Sequence, residues 1–266
     1  MMDITSLQNP RVKHIVKLRE DKRQRKKDGL ILVEGFDELT LALGCGLVPQ
    51  TILSAPELAS QTLTVPHAEN ISVNRAVFEK ISYRDNPDGW MGIFPMPTRT
   101  LEELSLPEEP LILVAESVEK PGNLGAILRT ADAAGADAVL VCDPRVDVWN
   151  PNVIRASRGA VFAVPAVEVD SLEALEWLRR RPEPLERSRK MRVVAASPAG
   201  SEAYTSVNMK GPLAIAVGTE DEGLTELWMN AADVRVNIPM RGRVNSLNVS
   251  IAAALMLYEA KRQRAA

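Results

Sequence analysis

The chain has 266 residues, 45% of them hydrophobic and 25% charged, with a formal net charge of −3 at pH 7. That length suits one large domain or two modest ones, each with its own core. No apolar run approaches the ~20 residues of a membrane helix, and the start, MMDITSLQNPRVKH, lacks the basic-then-apolar order of a signal peptide. His14 and His67 are the only histidines and Cys45 and Cys142 the only cysteines. This excludes a His-rich metal site, leaves little for a histidine triad, and points to a reducing cytoplasm rather than a disulfide framework.

In chain order, Ser6 and Asn9-Pro10 are start signals for a helix over residues 4–27, with Val12, Ile15, Val16 and Leu18 as its apolar stripe. From Met1 to Asp28 nine Lys/Arg face four acids, a local charge of +5 in a chain that is otherwise acidic. Such a run is either a solvated helix face or a phosphate-binding one. On the second reading the RNA-binding candidates are Lys17, Lys22, Arg23, Arg25, Lys26 and Lys27. A strand (Leu30–Val33), a helix (Asp37–Leu43), a strand (Gln50–Leu53) and further short elements to Phe94 predict a small α/β domain. Pro95, Pro97, Pro107 and Pro110 bracket a polar linker. The expected division is therefore 1–97, a linker at 98–109, and a second domain at 110–266.

The second domain alternates regularly. Strand-like runs lie at Leu111–Ala115, Ala138–Cys142, Arg192–Ala196, Leu213–Val217 and Val234–Ile238. Helix candidates lie at Leu124–Ala134, Leu172–Arg180, Leu224–Asn230 and Leu247–Arg264. Nearly continuous apolar strands read as buried on both faces, so the expected architecture is a mostly parallel sheet with helices on both sides. A dinucleotide-binding reading fails, because Glu119-Lys120-Pro121-Gly122-Asn123-Leu124-Gly125 stands where G-x-G-x-x-G is needed.

Three constellations remain. In Pro121 to Gly135, Asn123 is placed to cap a helix and Gly135 to stop it, while Arg129 is either a surface arginine or an anion partner. In Leu213 to Leu224, a buried strand ends at Gly218 and Glu220 follows two residues later, at the strand end where ligands sit in open α/β sheets. In Val236 to Ser250, a strand meets Pro239 and a polar loop, and Ser246 and Asn248 then open a long apolar helix; Ser246 is an N-cap, a ligand group, or both.

In this order and context, the three resemble the signature motifs of the SpoU/TrmH class of the SPOUT RNA methyltransferases, over about Leu111 to Arg264. The preceding domain resembles the ribosomal-protein-like RNA-binding domain that often accompanies this class, through Ile4-Thr5-Ser6, Asn9-Pro10 and Val33-Glu34-Gly35. Asn150-Pro151 and Arg155 to Ala160 are also similar to the family. The resemblance implies a C-terminal α/β domain with a deep trefoil knot, binding S-adenosyl-L-methionine (AdoMet), and a homodimer through that domain. It implies Ala196, Gly218, Ile238, Met240 and Leu247 as cofactor residues, and Asn123, Arg129, Glu220, Ser246 and Asn248 as the catalytic set. Asp221 departs from the pattern, standing where the family often has a small residue, and adds charge near the site.

The implied reaction is methyl transfer to an RNA ribose 2′-hydroxyl, with ribosomal RNA favoured by the front domain. The alternatives are the same reaction on transfer RNA, or an RNA-binding assembly factor without catalysis. No metal and no membrane partner is expected.

Overall fold

The computed structural model describes residues 2–180, 190–219 and 221–265. By its internal contacts the chain forms two units, one of residues 1–98 with 149–163, the other of 99–148 with 164–266.

The first unit begins with β1 (Met2–Ile4), α1 (Pro10–Glu20), α2 (Lys22–Asp28), β2 (Leu30–Glu34) and α3 (Phe36–Gly44). It continues through β3 (Thr51–Ser54), β4 (Glu69–Val73), α4 (Arg75–Ile81) and β5 (Trp90–Pro95). The strands make one mixed sheet in the order β1-β4-β3-β5-β2. Asn9 caps α1 by accepting from the Arg11 N–H, with Pro10 in the first turn, and Val12, Ile15 and Leu18 fill the core.

The single helix expected over 4–27 is two helices. Asp21 has extended backbone (φ −114°, ψ 112°), closing α1 and capping α2 through the Arg23 N–H at 2.8 Å. The break leaves the last carbonyls of α1 without helical donors. Arg25 supplies them: 1% exposed, its Nη1 donates to Leu18 O at 2.8 Å and Arg19 O at 3.2 Å. Arg25 is thus a buried structural residue, which corrects its place among the RNA-binding candidates. His14 bonds Asp28 at 2.6 Å, and that hydrogen bond, with Gln24 beside it, holds the Asp28 carboxyl below its ordinary value.

Glu34, from the Val33-Glu34-Gly35 triplet, has a structural use too. It accepts from the Ser82 hydroxyl at 2.5 Å and the Tyr83 N–H at 2.7 Å, fixing the loop after α4.

The second unit comprises β6 (Leu111–Glu116), α5 (Pro121–Ala134) and β7 (Ala138–Cys142), after which α6 (Pro151–Ala156) and α7 (Ala160–Ala163) belong to the first unit. It resumes with β8 (Ala166–Val169), α8 (Ser171–Arg180), β9 (Arg192–Ala196), β10 (Glu202–Ala203) and β11 (Leu213–Val217). It ends with α9 (Glu226–Ala231), β12 (Val234–Asn237) and α10 (Val249–Arg264). Seven strands form a wholly parallel sheet in the order β10-β12-β9-β11-β6-β7-β8.

Alternate residues of the central strands (Ile112 and Val114, Val193 and Ala195, Ala214 and Ala216) pack with Ala174 and Leu178 of α8 and Trp228 of α9. The intervening residues face the other way, where α5 packs on α10 and α10 on β11. At the C-terminus Arg264 donates to the carbonyls of Glu109, Pro110 and Gly211, tying α10 to the segments that enter β6 and β11.

From β6 the chain winds outward through β7 and β8, and β9 then appears on the far side of β11. The reversal lies between β6 and β11, and in open parallel sheets ligands bind where strand order reverses, at the carboxyl ends. No helix of the described residues is long and apolar enough to cross a membrane.

Candidate active site

β9, β11 and β12 are neighbours whose carboxyl ends open on one cavity of about 480 Å³. Each contributes the residue at or just past its end: Ala196, Gly218 and Ile238. Met240, Ser246 and Leu247, from the loop between β12 and α10, complete the wall with Leu224. All five expected cofactor residues therefore line the same space.

Gly218 is there for want of room. A β-carbon would collide with the carbonyl of Gly223 and the nitrogen of Leu224. The two backbones are held together by Thr219 N–H to Gly223 O at 3.0 Å and Gly223 N–H to Thr219 O at 3.2 Å. Among the described residues, the cavity is lined by no lysine or arginine, whereas Asp221 and Glu222 both line it. Such a wall suits a cation and rejects a phosphate.

A second, smaller depression of about 190 Å³ adjoins the first and shares Thr219, Asp221, Glu222 and Val249 with it. Its own wall includes Lys120, Asn123 and Arg145. Asn123 is not the helix cap its sequence position suggested. Pro121 starts α5 and Lys120 takes the cap position, so Asn123 lies inside the first turn. Its Oδ1 accepts from Nδ2 of Asn248 at 3.1 Å.

Asn248, not Ser246, is the N-cap of α10, accepting at Oδ1 from the Ser250 N–H at 2.9 Å and hydroxyl at 2.6 Å. Ser246 stays in the loop, exposed and lining the larger cavity.

Two catalytic candidates remain, Arg129 and Glu220. Arg129 is exposed on α5, lines neither cavity, and makes no hydrogen bond or ion pair with any described residue. Glu220 lies outside the described residues; Thr219 and Asp221 on either side of it line both cavities. In the first unit Lys17, Arg23, Lys26 and Lys27 are exposed and Lys22 is half-buried.

Lys120 and Arg145 were not singled out from the sequence. Their signal is position alone: both follow the carboxyl ends of parallel strands. The turns that carry them are strained, because Ser117 (φ 51°) and Asp143 (φ 48°) hold left-handed backbone at the adjacent ends of β6 and β7. Ser117 N–H donates to Cys142 O at 2.8 Å between those ends. Burial, with Asp143 and Glu116 adding repulsion, pushes the Cys142 thiol far up, so it stays protonated and inert. No cluster of His, Cys, Asp or Glu among the described residues is arranged to hold a metal ion.

Residues 110–258 match the SpoU rRNA methylase family, and residues 9–92 match the MRM3-like substrate-binding domain. The chain is 30% identical to the 23S rRNA (uridine(2479)-2′-O)-methyltransferase of Streptomyces viridochromogenes, over 98% of this chain and 92% of that one. A crystal structure of an RNA 2′-O ribose methyltransferase superposes with a TM-score of 0.85 at 41% identity, covering 100% of both chains. The SpoU methyltransferase AviRb of Streptomyces viridochromogenes, in complex with AdoMet, gives 0.87 at 29% identity, covering 96% of this chain and 98% of that one. This chain belongs to the SpoU rRNA methylase family, with an MRM3-like substrate-binding domain ahead of the methylase domain.

Proposed function

We propose that the protein transfers a methyl group from AdoMet to a ribose 2′-hydroxyl of ribosomal RNA, as a cytoplasmic homodimer. The observation that carries this reading is the larger cavity, walled by the ends of three parallel strands and the loop into α10, with acids but no described lysine or arginine on its lining. Its volume is that of a small-molecule site. The lining fits a sulfonium-bearing nucleoside and not a nucleotide phosphate. Ala196, Gly218, Ile238, Met240 and Leu247 would hold AdoMet, which supplies a methyl group already activated toward an oxygen nucleophile.

The chain's own task is then positioning and charge. Asn123 and Asn248, bonded to each other beside the cavity, present amide groups that can orient a ribose in the smaller depression. Ser246, at the rim of the larger one, is a further hydrogen-bonding group for the same end. Glu220 would orient the ribose or Arg129. A guanidinium carries five donors and no acceptor, so Arg129 serves as a donor to the target phosphate and to the developing alkoxide, not as the base.

Because Arg129 lines neither cavity of its own chain, we read it as reaching the site of a second copy. Support for the dimer is the outer face of α10, where Ile251 (52% exposed) and Tyr258 (49%) stand two turns apart. We read the C-terminal run from β12 through the 239–248 loop to α10 as the part that threads into a trefoil knot, as the family resemblance implies. Lys17, Lys22, Arg23, Lys26 and Lys27 would supply phosphate affinity. Two free thiols, Cys45 and Cys142, suit a reducing compartment.

The test is twofold. Purified protein should transfer labelled methyl from AdoMet to ribosomal RNA, and 2′-O-methylation mapping of total RNA should lose one site in cells lacking the protein. A lost site in transfer RNA would redirect the substrate; no lost site and no AdoMet binding would restore the assembly-factor alternative.

A further inference from the structure

Glu116 closes β6 with its carboxylate buried, 1% exposed, and nothing in the roles above uses it. Its Oε2 accepts the Thr225 N–H at 2.8 Å and its Oε1 the Thr225 hydroxyl at 2.7 Å. The Ser171 hydroxyl donates to the same Oε1 at 3.3 Å while accepting from Nε1 of Trp228 at 3.1 Å. No lysine, arginine or histidine among the described residues pairs with it, so neutral donors alone hold this carboxylate. Burying a charge on those terms is costly, and hydrogen bonds to a charged acceptor are correspondingly strong and directional.

The geometry gives that cost a purpose. Thr225 stands at the cap position of α9, yet its side chain makes no cap hydrogen bond, because its hydroxyl points to Glu116. One residue earlier, Leu224 lines the larger cavity, and Gly223 and Leu224 are the backbone against which Gly218 is pressed. Gly218, Thr219 and residues 221–224 thus line one wall of the cavity. That wall is anchored on one side by the end of β11, and on the other by the two bonds from Thr225 to Glu116.

We propose that Glu116 is a positioning residue for the methyl donor: through Thr225 it holds Gly223 and Leu224 against Gly218, in the shape that binds AdoMet. This deepens the methyltransferase reading and rests on it. Glu116 touches neither donor nor ribose, so its effect falls on cofactor binding.

The experiment compares the full-length wild type with Glu116→Gln, Thr225→Val and Thr225→Ser. It uses AdoMet calorimetry well below each melting transition, and steady-state methyl transfer. Glu116→Gln keeps the size but loses the charge, and Thr225→Val removes the hydroxyl. Each should weaken AdoMet binding by about tenfold, raising KM for AdoMet while kcat and the KM for RNA stay near wild type. Thr225→Ser, which keeps the hydroxyl, should restore wild-type affinity. The Glu116→Gln, Thr225→Val pair should be no weaker than the poorer single variant.

Lowered melting temperatures with unchanged affinity and KM for AdoMet would make the network a packing device only and overturn the proposal. A wild type that binds AdoMet beside variants that match it overturns this inference alone. A wild type that fails to bind AdoMet overturns the methyltransferase reading, and this with it.

Discussion

Asn248 Nδ2 donates to Asn123 Oδ1 at 3.1 Å, tying the N-cap of α10 to the first turn of α5 across 125 positions of sequence. The same Asn248 caps α10 through its other atom. The capping role and the proposed catalytic role therefore share one side chain, and a substitution must separate them. Asn248→Asp keeps the acceptor for the Ser250 N–H and replaces the donor that meets Asn123. Its stability should stay within about 1 kcal/mol of wild type, while single-turnover methyl transfer should fall about 100-fold. Asn248→Ala should lose the rate and also about 1 kcal/mol of stability. A full rate in Asn248→Asp would remove the amide pair from the mechanism.

Gly218 and Gly122 make opposite forecasts for one substitution. An added methyl at Gly218 meets the backbone of Gly223 and Leu224, which cannot yield as a side chain would. Gly218→Ala should cost about 1–3 kcal/mol and abolish detectable AdoMet binding in calorimetry. Gly122 lies in the first turn of α5 with nothing within 4 Å of the added carbon. Gly122→Ala should leave AdoMet binding intact and hold or raise the melting temperature, since alanine loses less backbone entropy in a helix.

The contrast shows what was legible in the sequence. β7, β9 and β11 fall at the ranges their apolar runs predict, because strands buried on both faces leave an unbroken hydrophobic record. β8 left a weaker one. It is the edge of the sheet and carries Glu168, whose carboxylate accepts from the Val148 N–H. The two residues of β10 have no pattern to show. Residues 149–163 leave the second unit for the first, and no local signal marks which core a short helix joins.

At the site, strand ends were readable and caps were not. Asn123 and Ser246 both sit near helix starts, but Pro121 and Asn248 fix the actual starts. Glu116 was hidden by the run that ends just before it. A lone acid closing an apolar strand is a signal, but its partners, Thr225 and Ser171, are set by topology.

Arg129 makes a prediction about assembly. It is exposed and bonded to no described residue, so Arg129→Ala should shift stability by less than about 0.5 kcal/mol yet lower methyl transfer at least about 100-fold. Arg129→Lys should not rescue it, because an ammonium cannot reproduce the planar fork. If the guanidinium serves the partner's site, mixing Arg129→Ala with Asn248→Asp protein and allowing subunits to exchange should restore about a quarter of the wild-type rate, from the one intact site in each mixed dimer. No recovery in a sample shown by mass to contain mixed dimers would place Arg129 in the site of its own chain.

The basic run at the front of the chain divides into residues that hold the fold and residues free to meet a phosphate. Arg25 satisfies the Leu18 and Arg19 carbonyls that the break at Asp21 exposes. Arg25→Ala should destabilise the protein by about 2 kcal/mol while leaving the salt dependence of RNA binding unchanged. Lys17, Arg23 and Lys27 are exposed, and replacing any one with alanine should move stability by no more than about 0.5 kcal/mol. Each should instead weaken RNA binding and reduce the slope of log K against log salt by about 0.7–0.9, one released counterion per phosphate contact. Filter binding across a salt series, beside thermal melts of the same four variants, separates the two groups. An Arg25→Ala protein of wild-type stability with a shallower salt slope would return Arg25 to the RNA-binding face.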